Sequence, residues 1–222
     1  MTNAAPPSEP KPVSASDPVS EPGPAEAPEP ASEPEPDAAT DWAAPVPGGP
    51  PRRQFAGPPA WSIDKTARYS AELITSLGTM TAALDPYSAP HAVNNFVALA
   101  RQGFYDGLIF HRIIKGFMAQ AGCPDGDGRG GPGYTFDDEL PKPGRYEMGS
   151  LAMANSGPNT NGSQFFIVSG PRGMKLPPQY SLFGKIVRGM EVLEALQAVP
   201  TGPADLPQDP PVILSVTILE RR

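Results

Sequence analysis

The sequence predicts a mainly β domain, an antiparallel barrel or sandwich, behind a disordered proline-rich tail. Three observations lead there. Residues 1–51 hold 15 of the 32 prolines and 9 of the 24 acids, with Lys11 as their one base and Trp42 as their one aromatic residue. Beyond residue 66 the chain breaks into short β-compatible runs separated by turn residues, with only two good helix patterns among them. No regular alternation of strand and helix runs through it, which argues against a parallel doubly wound sheet.

A stretch of Ala, Pro, Glu and Ser cannot bury enough apolar surface to offset the entropy lost on ordering. Its Glu-Pro and Pro-x-Pro steps favour extended, polyproline-like geometry, so the tail is expected to act as a semi-stiff acidic tether. The expected division is a disordered tail over residues 1–53, a connector over 54–66 and a folded domain over 67–222. From residue 54 onward there are 15 acids and 14 bases, so the tail carries nearly all of the net charge of −7. A nearly neutral domain has no basic field for nucleic acid or an anionic membrane, and neither is expected as a partner. The single cysteine, Cys123, excludes an intrachain disulfide and any multi-cysteine metal site. The first residues lack a basic and then apolar leader pattern, and no apolar run is long enough to span a bilayer. The expectation is a cytoplasmic monomer.

The elements follow in order. Runs at 67–74 and 79–84, separated by Thr75-Ser76-Leu77-Gly78, read as a hairpin. Tyr87-Ser88-Ala89-Pro90 reads as a helix start, with Ser88 as candidate N-cap and Pro90 in the first turn, where a missing donor costs nothing. Val93, Phe96, Val97 and Ala100 continue at helical spacing, and Gly103 is the expected stop. Residues 108–114 and 117–120 read as strands, 122–133 as a glycine-rich loop, and 164–168 and 181–187 as strands again. A short helix over 190–198 turns Leu193 and Leu196 inward, and 212–219 alternate enough to form a last strand.

Two segments carry the chemistry. One is Phe110-His111-Arg112-Ile113-Ile114-Lys115-Gly116-Phe117-Met118-Ala119-Gln120; the other runs from Met153 through Asn155, Gly162 and Gln164 to Phe166. Together they offer a cation, neutral amides and an apolar aromatic surface, with no evident nucleophile, metal cluster or acid–base pair. That set suits rearrangement of a neutral group without breaking a bond, and rotation about a prolyl peptide bond is such a reaction. Its barrier of about 18–20 kcal/mol comes from amide resonance. A guanidinium donating to the prolyl nitrogen favours the twisted state, whose lone pair is localised there, over the planar ground state. Phe110, Phe165 and Ile167 alternate with these residues and are expected in the core, since neighbours on a strand point to opposite faces. His111 is expected to be a packed structural histidine.

The two segments resemble the signature of the cyclophilin family of peptidyl-prolyl isomerases. The likeness extends from about Ala67 to the C-terminus and takes in Leu84-Asp85-Pro86-Tyr87-Ser88-Ala89-Pro90-His91-Ala92-Val93-Asn94-Asn95-Phe96, Gly103-Phe104-Tyr105-Asp106-Gly107 and Leu182-Phe183-Gly184-Lys185-Ile186-Val187. The resemblance implies a closed eight-stranded antiparallel barrel capped by two α-helices, with a substrate groove on its outer face and no metal or cofactor. It implies Arg112 as the catalytic arginine, and Phe117, Met118 and Phe166 as walls of a proline pocket. Gln120, Ala154, Asn155 and Gln164 fall at positions that bind the substrate backbone and orient the arginine. Leu176 and Tyr180 fall on the far rim. The expected partners are proline-containing unfolded or flexible protein segments.

The likeness has one departure. Many members carry a tryptophan ahead of the position of Leu176, whereas this chain reads Gly173-Met174-Lys175-Leu176-Pro177-Pro178, so the resemblance carries no expectation of tight binding by a cyclosporin-type inhibitor. Other patterns weigh less. Gly126-Asp127-Gly128-Arg129-Gly130-Gly131 fits a dinucleotide fingerprint, but Pro132 follows and no helix opens there. Asp125 and Asp127 lack the downstream glutamate of a calcium loop, and Asn161-Gly162-Ser163 is a glycosylation sequon without an export signal. Two other functions compete: a proline-segment-binding chaperone or scaffold with incidental turnover, and an adaptor acting through its proline-rich tail.

Overall fold

The structure, a computed structural model, describes residues 51–221. The tail expected over 1–53 lies outside the described residues as far as residue 50. The chain runs β1 (Arg68–Thr75), β2 (Gly78–Leu84), α1 (Pro90–Arg101), β3 (Arg112–Ile114), β4 (Met118–Ala121), β5 (Ser150–Met153), β6 (Phe165–Val168), β7 (Leu182–Arg188), α2 (Met190–Ala198) and β8 (Ile213–Arg221). All strand pairings are antiparallel, in the order β3-β4-β6-β5-β7-β2-β1-β8.

The β1–β2 hairpin forms as its turn residues predict. Gly78 takes a φ of 129° at the end of the turn, and the Thr75 hydroxyl donates to its carbonyl at 2.7 Å. Along β1 every second residue, Tyr69, Ala71, Leu73 and Thr75, is buried. That alternation fixes which face of the strand meets the core.

The sheet curls but is not closed by strand pairing, which corrects the expectation of a fully closed barrel. β3 and β8 are its two edges, and the seam between them is stitched by an irregular segment. Gly107 N–H donates to the Ile213 carbonyl, Ile213 N–H to Leu108 and Phe110 N–H to Pro211, at 2.7 to 2.8 Å. The strand expected over 108–114 shrinks accordingly to Arg112–Ile114. The physical reason lies opposite: Pro210 and Pro211 have no N–H to give a ladder.

β5 is absent from the elements read along the chain. Its four residues are all buried, because it lies between β6 and β7 with one face on the core and the other under the groove described below. With no solvent-facing face, the polar alternation that marks a strand never appears.

Helix α1 starts where Pro90 predicts, but its cap is not Ser88. The N-cap position is Ala89, with no capping side chain, and the Asp85 carboxylate instead accepts from Tyr87 and Ser88 in the preceding turn. The unpaired amides of the first helical turn, His91 and Ala92, donate to the two carboxylate oxygens of Glu139 at 3.0 and 2.9 Å. The inner face of α1 buries Val93, Phe96, Val97 and Ala100. Helix α2 buries Val192, Leu193 and Leu196. Gly189 ahead of it could bear no side chain, since a Cβ there would stand 2.3 Å from the Thr79 carbonyl oxygen.

The core centres on aromatic rings meeting edge to face. Phe96 and Phe165 have centroids 5.5 Å apart at 88°, and Tyr105 and Phe165 stand 5.6 Å apart at 84°. Phe165 and Ile167 are fully buried in this core, as the alternation predicts, and Phe110 is buried there too, because it precedes β3 and so is not bound to the face of Arg112. A second, smaller apolar cluster lies on the outer face of the sheet, with Met118, Ala152, Phe166 and Val168 buried and Phe117, Leu176 and Tyr180 packed against them.

Candidate active site

Strand register explains why two apolar clusters exist. Across β3, β4, β6 and β5 the paired positions are Arg112, Gln120, Phe166 and Ala152, while the next row is Ile113, Ala119, Ile167 and Leu151. Neighbouring rows face opposite sides of a sheet. The second row enters the main core; of the first, Arg112, Gln120 and Phe166 line a cavity of about 570 Å³ on the outer face, and Ala152 is buried in the smaller cluster.

All ten residues singled out in the sequence border that cavity: Arg112, Phe117, Met118, Gln120, Ala154, Asn155, Gln164, Phe166, Leu176 and Tyr180. They come from five separate stretches of chain, so the sheet, not sequence proximity, gathers them. At the apolar end the rings of Phe166 and Tyr180 meet edge to face with centroids 5.2 Å apart. Tyr146 supports this end from behind, donating its hydroxyl to the Tyr180 carbonyl at 2.7 Å and accepting from the Tyr180 N–H at 3.1 Å. Burial pushes the Tyr146 phenol up to about 12, so it remains a neutral donor at physiological pH. Phe117 is held because Gly170 and Gly173 let the backbone close in: a Cβ on Gly170 would lie 2.1 Å from the carbonyl carbon of Gly116, and one on Gly173 would lie 2.6 Å from the Phe117 carbonyl oxygen.

The polar end is a chain of amides. Gln120 Nε2 donates to Gln164 Oε1 at 2.9 Å, and Gln164 Nε2 donates to the carbonyls of Gly128 and Gly130 at 2.8 and 2.9 Å. Asn155 Nδ2 donates to the Gln179 carbonyl at 2.9 Å, tying the two sides of the groove together. Ser163 is buried and gives its hydroxyl to the Gly122 carbonyl at 2.7 Å. That hydroxyl serves the fold.

Arg112 is about half exposed, and its Nε donates to Asp205 Oδ2 at 3.3 Å. Asp205 was not foreseen. It sits in a turn after α2, and only the Gly-Pro that opens the turn is visible in the sequence. The glycine-rich wall Gly128, Gly130 and Gly131 with Pro132 also borders the cavity, as do Tyr134, Thr135 and Thr160. These residues carry no distinctive side-chain chemistry, and only the three-dimensional arrangement reveals them. His111 is buried and does not border the cavity; burial first, then the adjacent Arg112 charge, push its pKa below the usual imidazole value. Asn161, of the sequon, is fully buried and donates to Asp138 at 2.8 Å. Among the described residues no cluster of three or more His, Cys, Asp or Glu could hold a metal ion, and no helix is long and apolar enough to cross a membrane.

Residues 70–218 match the family model for cyclophilin type peptidyl-prolyl cis-trans isomerases. The chain belongs to the cyclophilin family. Isomerase-like 3 of Dictyostelium discoideum is 46% identical over 153 residues, covering 67% of this chain and 94% of that protein. CYP18-1 of Arabidopsis thaliana is 46% identical over 142 residues, covering 62% of this chain and 88% of the relative. The cyclophilin cyp15 of Rhizopus delemar is a longer protein: the 43% identity extends over 67% of this chain but only 24% of that one. In three dimensions a crystal structure of a Cryptosporidium parvum cyclophilin matches with a TM-score of 0.64 and 38% identity, over 70% of this chain and 99% of the other. A second crystal structure of that cyclophilin, in the presence of the dipeptide Ala-Pro, matches with a TM-score of 0.63. The cyclophilin match begins beyond the connector and leaves the segment before residue 70 without a counterpart in the family model.

Proposed function

We propose that this cyclophilin accelerates rotation of X-Pro bonds in unfolded or flexible protein segments, with Arg112 as the catalytic group, and so assists protein folding. The observation that carries this reading is the single row of Arg112, Gln120 and Phe166 across three paired strands. It sets a guanidinium beside an apolar notch and an amide chain in one cavity.

In this reading the proline ring lies against Phe117, Met118 and Phe166, with Leu176 and Tyr180 at the far rim. Gln120, Ala154, Asn155 and Gln164 hold the peptide groups on either side. One end of the bond is then held while the other rotates, which turns a free rotation into a guided one. The Nε of Arg112 is engaged with Asp205, which leaves its terminal nitrogens as donors to the prolyl nitrogen. As the bond twists, resonance is lost and the nitrogen lone pair localises, so the donation strengthens in the transition state and not before. No bond is made or broken, and no cofactor or metal is called for. The protein works as a monomer on proline-containing segments, with neither nucleic acid nor membrane as partner. Cytoplasmic residence is consistent with a lone, buried, free cysteine, Cys123.

A protease-coupled prolyl isomerisation assay on the intact protein and its Arg112→Ala variant tests this. A preorganised donor to a developing charge is worth about 3–4 kcal/mol, so kcat/KM should fall by about 10²-fold or more. A variant as active as the parent would remove Arg112 from the mechanism. If a biological effect survives in that variant although turnover is gone, the site acts as a proline-binding chaperone instead.

A further inference from the structure

The glycine-rich wall of the groove is held from both sides. From the cavity side Gln164 takes the carbonyls of Gly128 and Gly130. From behind, a segment ahead of the family's common core takes the next two: Gln54 Nε2 donates to the Gly131 carbonyl at 2.9 Å, and Phe55 N–H donates to Pro132 at 2.8 Å. The approach is close enough that a Cβ on Gly133 would lie 2.5 Å from the Phe55 carbonyl oxygen.

This segment is itself anchored. Phe55 is 4% exposed and faces Phe104, with ring centroids 6.4 Å apart. Arg53 Nη2 donates to the Asp106 carbonyl, and its guanidinium lies 5.5 Å from the Phe104 ring centroid. Further on, Ser62 N–H donates to Asn94 Oδ1 on α1 at 2.9 Å, and Ile63 is buried. The residues expected as a connector are therefore bound at both ends to the domain.

We propose that residues 53–55 form a strap that positions the groove's glycine-rich wall and thereby sets affinity for the peptide residues flanking proline; this rests on the isomerase reading above. The physical ground is entropy. A run with glycine at 128, 130, 131 and 133 loses more conformational freedom on ordering than any other sequence would. Each hydrogen bond that holds it contributes only about 1 kcal/mol. The wall therefore depends on its outside partners. The proline notch and Arg112 are built on β3, β4 and β6, whose ladders do not involve the strap. Loosening the strap should weaken binding alongside the wall while leaving the chemical step alone.

The test uses the full chain with Phe55→Ala, the conservative Phe55→Leu and, as a surface variant that leaves the anchor intact, Gln54→Ala. Each is assayed on a minimal X-Pro substrate and on a peptide extended by several residues. Phe55→Ala should raise KM for the extended peptide about fivefold, with kcat within twofold and KM for the minimal substrate unchanged. Phe55→Leu should restore the parent value. Gln54→Ala should show the same pattern at about twofold, which keeps the proposal open to refutation should Phe55→Ala fail to fold. Unchanged KM, an equal rise for both substrates, or a loss confined to Tm would overturn it. Peptide dissociation constants from NMR titration separate the two readings. If the parent protein shows no turnover, the isomerase reading fails, while the strap still predicts weaker binding of the extended peptide alone.

Discussion

Arg112 and Asp205 are joined across 3.3 Å through Nε and Oδ2, linking the edge strand β3 to a turn in which Ala204 and Asp205 both take left-handed backbone conformations, φ 59° and 60°. Such conformations cost a non-glycine residue of order 1 kcal/mol each and persist only where the surroundings hold them. Both partners are partly exposed, so the pair itself adds little to stability. Its consequence is geometric, because it fixes one edge of a planar guanidinium. Asp205→Ala is therefore expected to leave the unfolding free energy within about 1 kcal/mol of the parent. It should lower kcat about threefold to tenfold at nearly constant KM. Urea unfolding and steady-state kinetics check the two halves separately, and a variant that changes KM alone would show that Asp205 contacts substrate instead.

Glu139 caps α1 from 48 residues away, accepting from His91 and Ala92. Loss of a helix cap costs about 1 kcal/mol and up to about 2, and the carboxylate also faces the positive end of the helix. Glu139→Ala should lower Tm by several degrees with kcat/KM unchanged at 25 °C, since α1 lines no part of the groove. Glu139→Gln keeps one acceptor and should fall between. Calorimetry on the three proteins tests the order.

Burial and the Arg112 charge lower the folded-state pKa of His111, with Asp127 partly opposing them. A base with a lowered folded pKa binds fewer protons folded than unfolded, so stability rises with pH in that window. The contribution is complete above the unfolded value of about 6.5 and is lost progressively as pH falls below it. His111→Gln should be less stable at pH 7.5 yet show a flatter decline between pH 7 and 5. Urea midpoints at a series of pH values would show a parallel decline if another group were responsible.

Removing residues 1–51 leaves the strap in place. Activity on a short peptide should equal that of the full chain, because the residues assigned to the groove, from Arg112 to Tyr180, all lie in the retained domain. Should a tail proline occupy the groove of its own molecule, tethering would give it a high effective concentration. KM would then fall on truncation, and equal values dispose of that possibility. A biological effect lost on truncation with turnover intact would assign the adaptor role to the tail.

Much of the site was legible because its residues stand in motifs that resemble the cyclophilin signature. Strand alternation adds that Phe166 faces out once Phe165 and Ile167 are placed inward, and the register of the paired strands then sets Arg112 and Gln120 in its row. Helix α2 was legible from end to end, since Leu193 and Leu196 repeat at helical spacing and the helix ends ahead of Pro200. What escaped shares one cause. β5 has no exposed face to betray it, Glu139 replaces Ser88 as the cap of α1 from a distant loop, and Pro210 and Pro211 interrupt the seam of the sheet. Each depends on a neighbour far along the chain.

The order of residues alone determined the elements other than β5, because periodicity and turn chemistry act over a few residues, and its motifs carried the resemblance to the family. Tertiary structure decided which distant groups complete them: Asp205 on Arg112, Glu139 on α1, and Gln54 with Phe55 behind the glycine-rich wall. A hydrogen bond requires its partners about 3 Å apart, and only the folded sheet sets that distance between residues so widely separated in sequence.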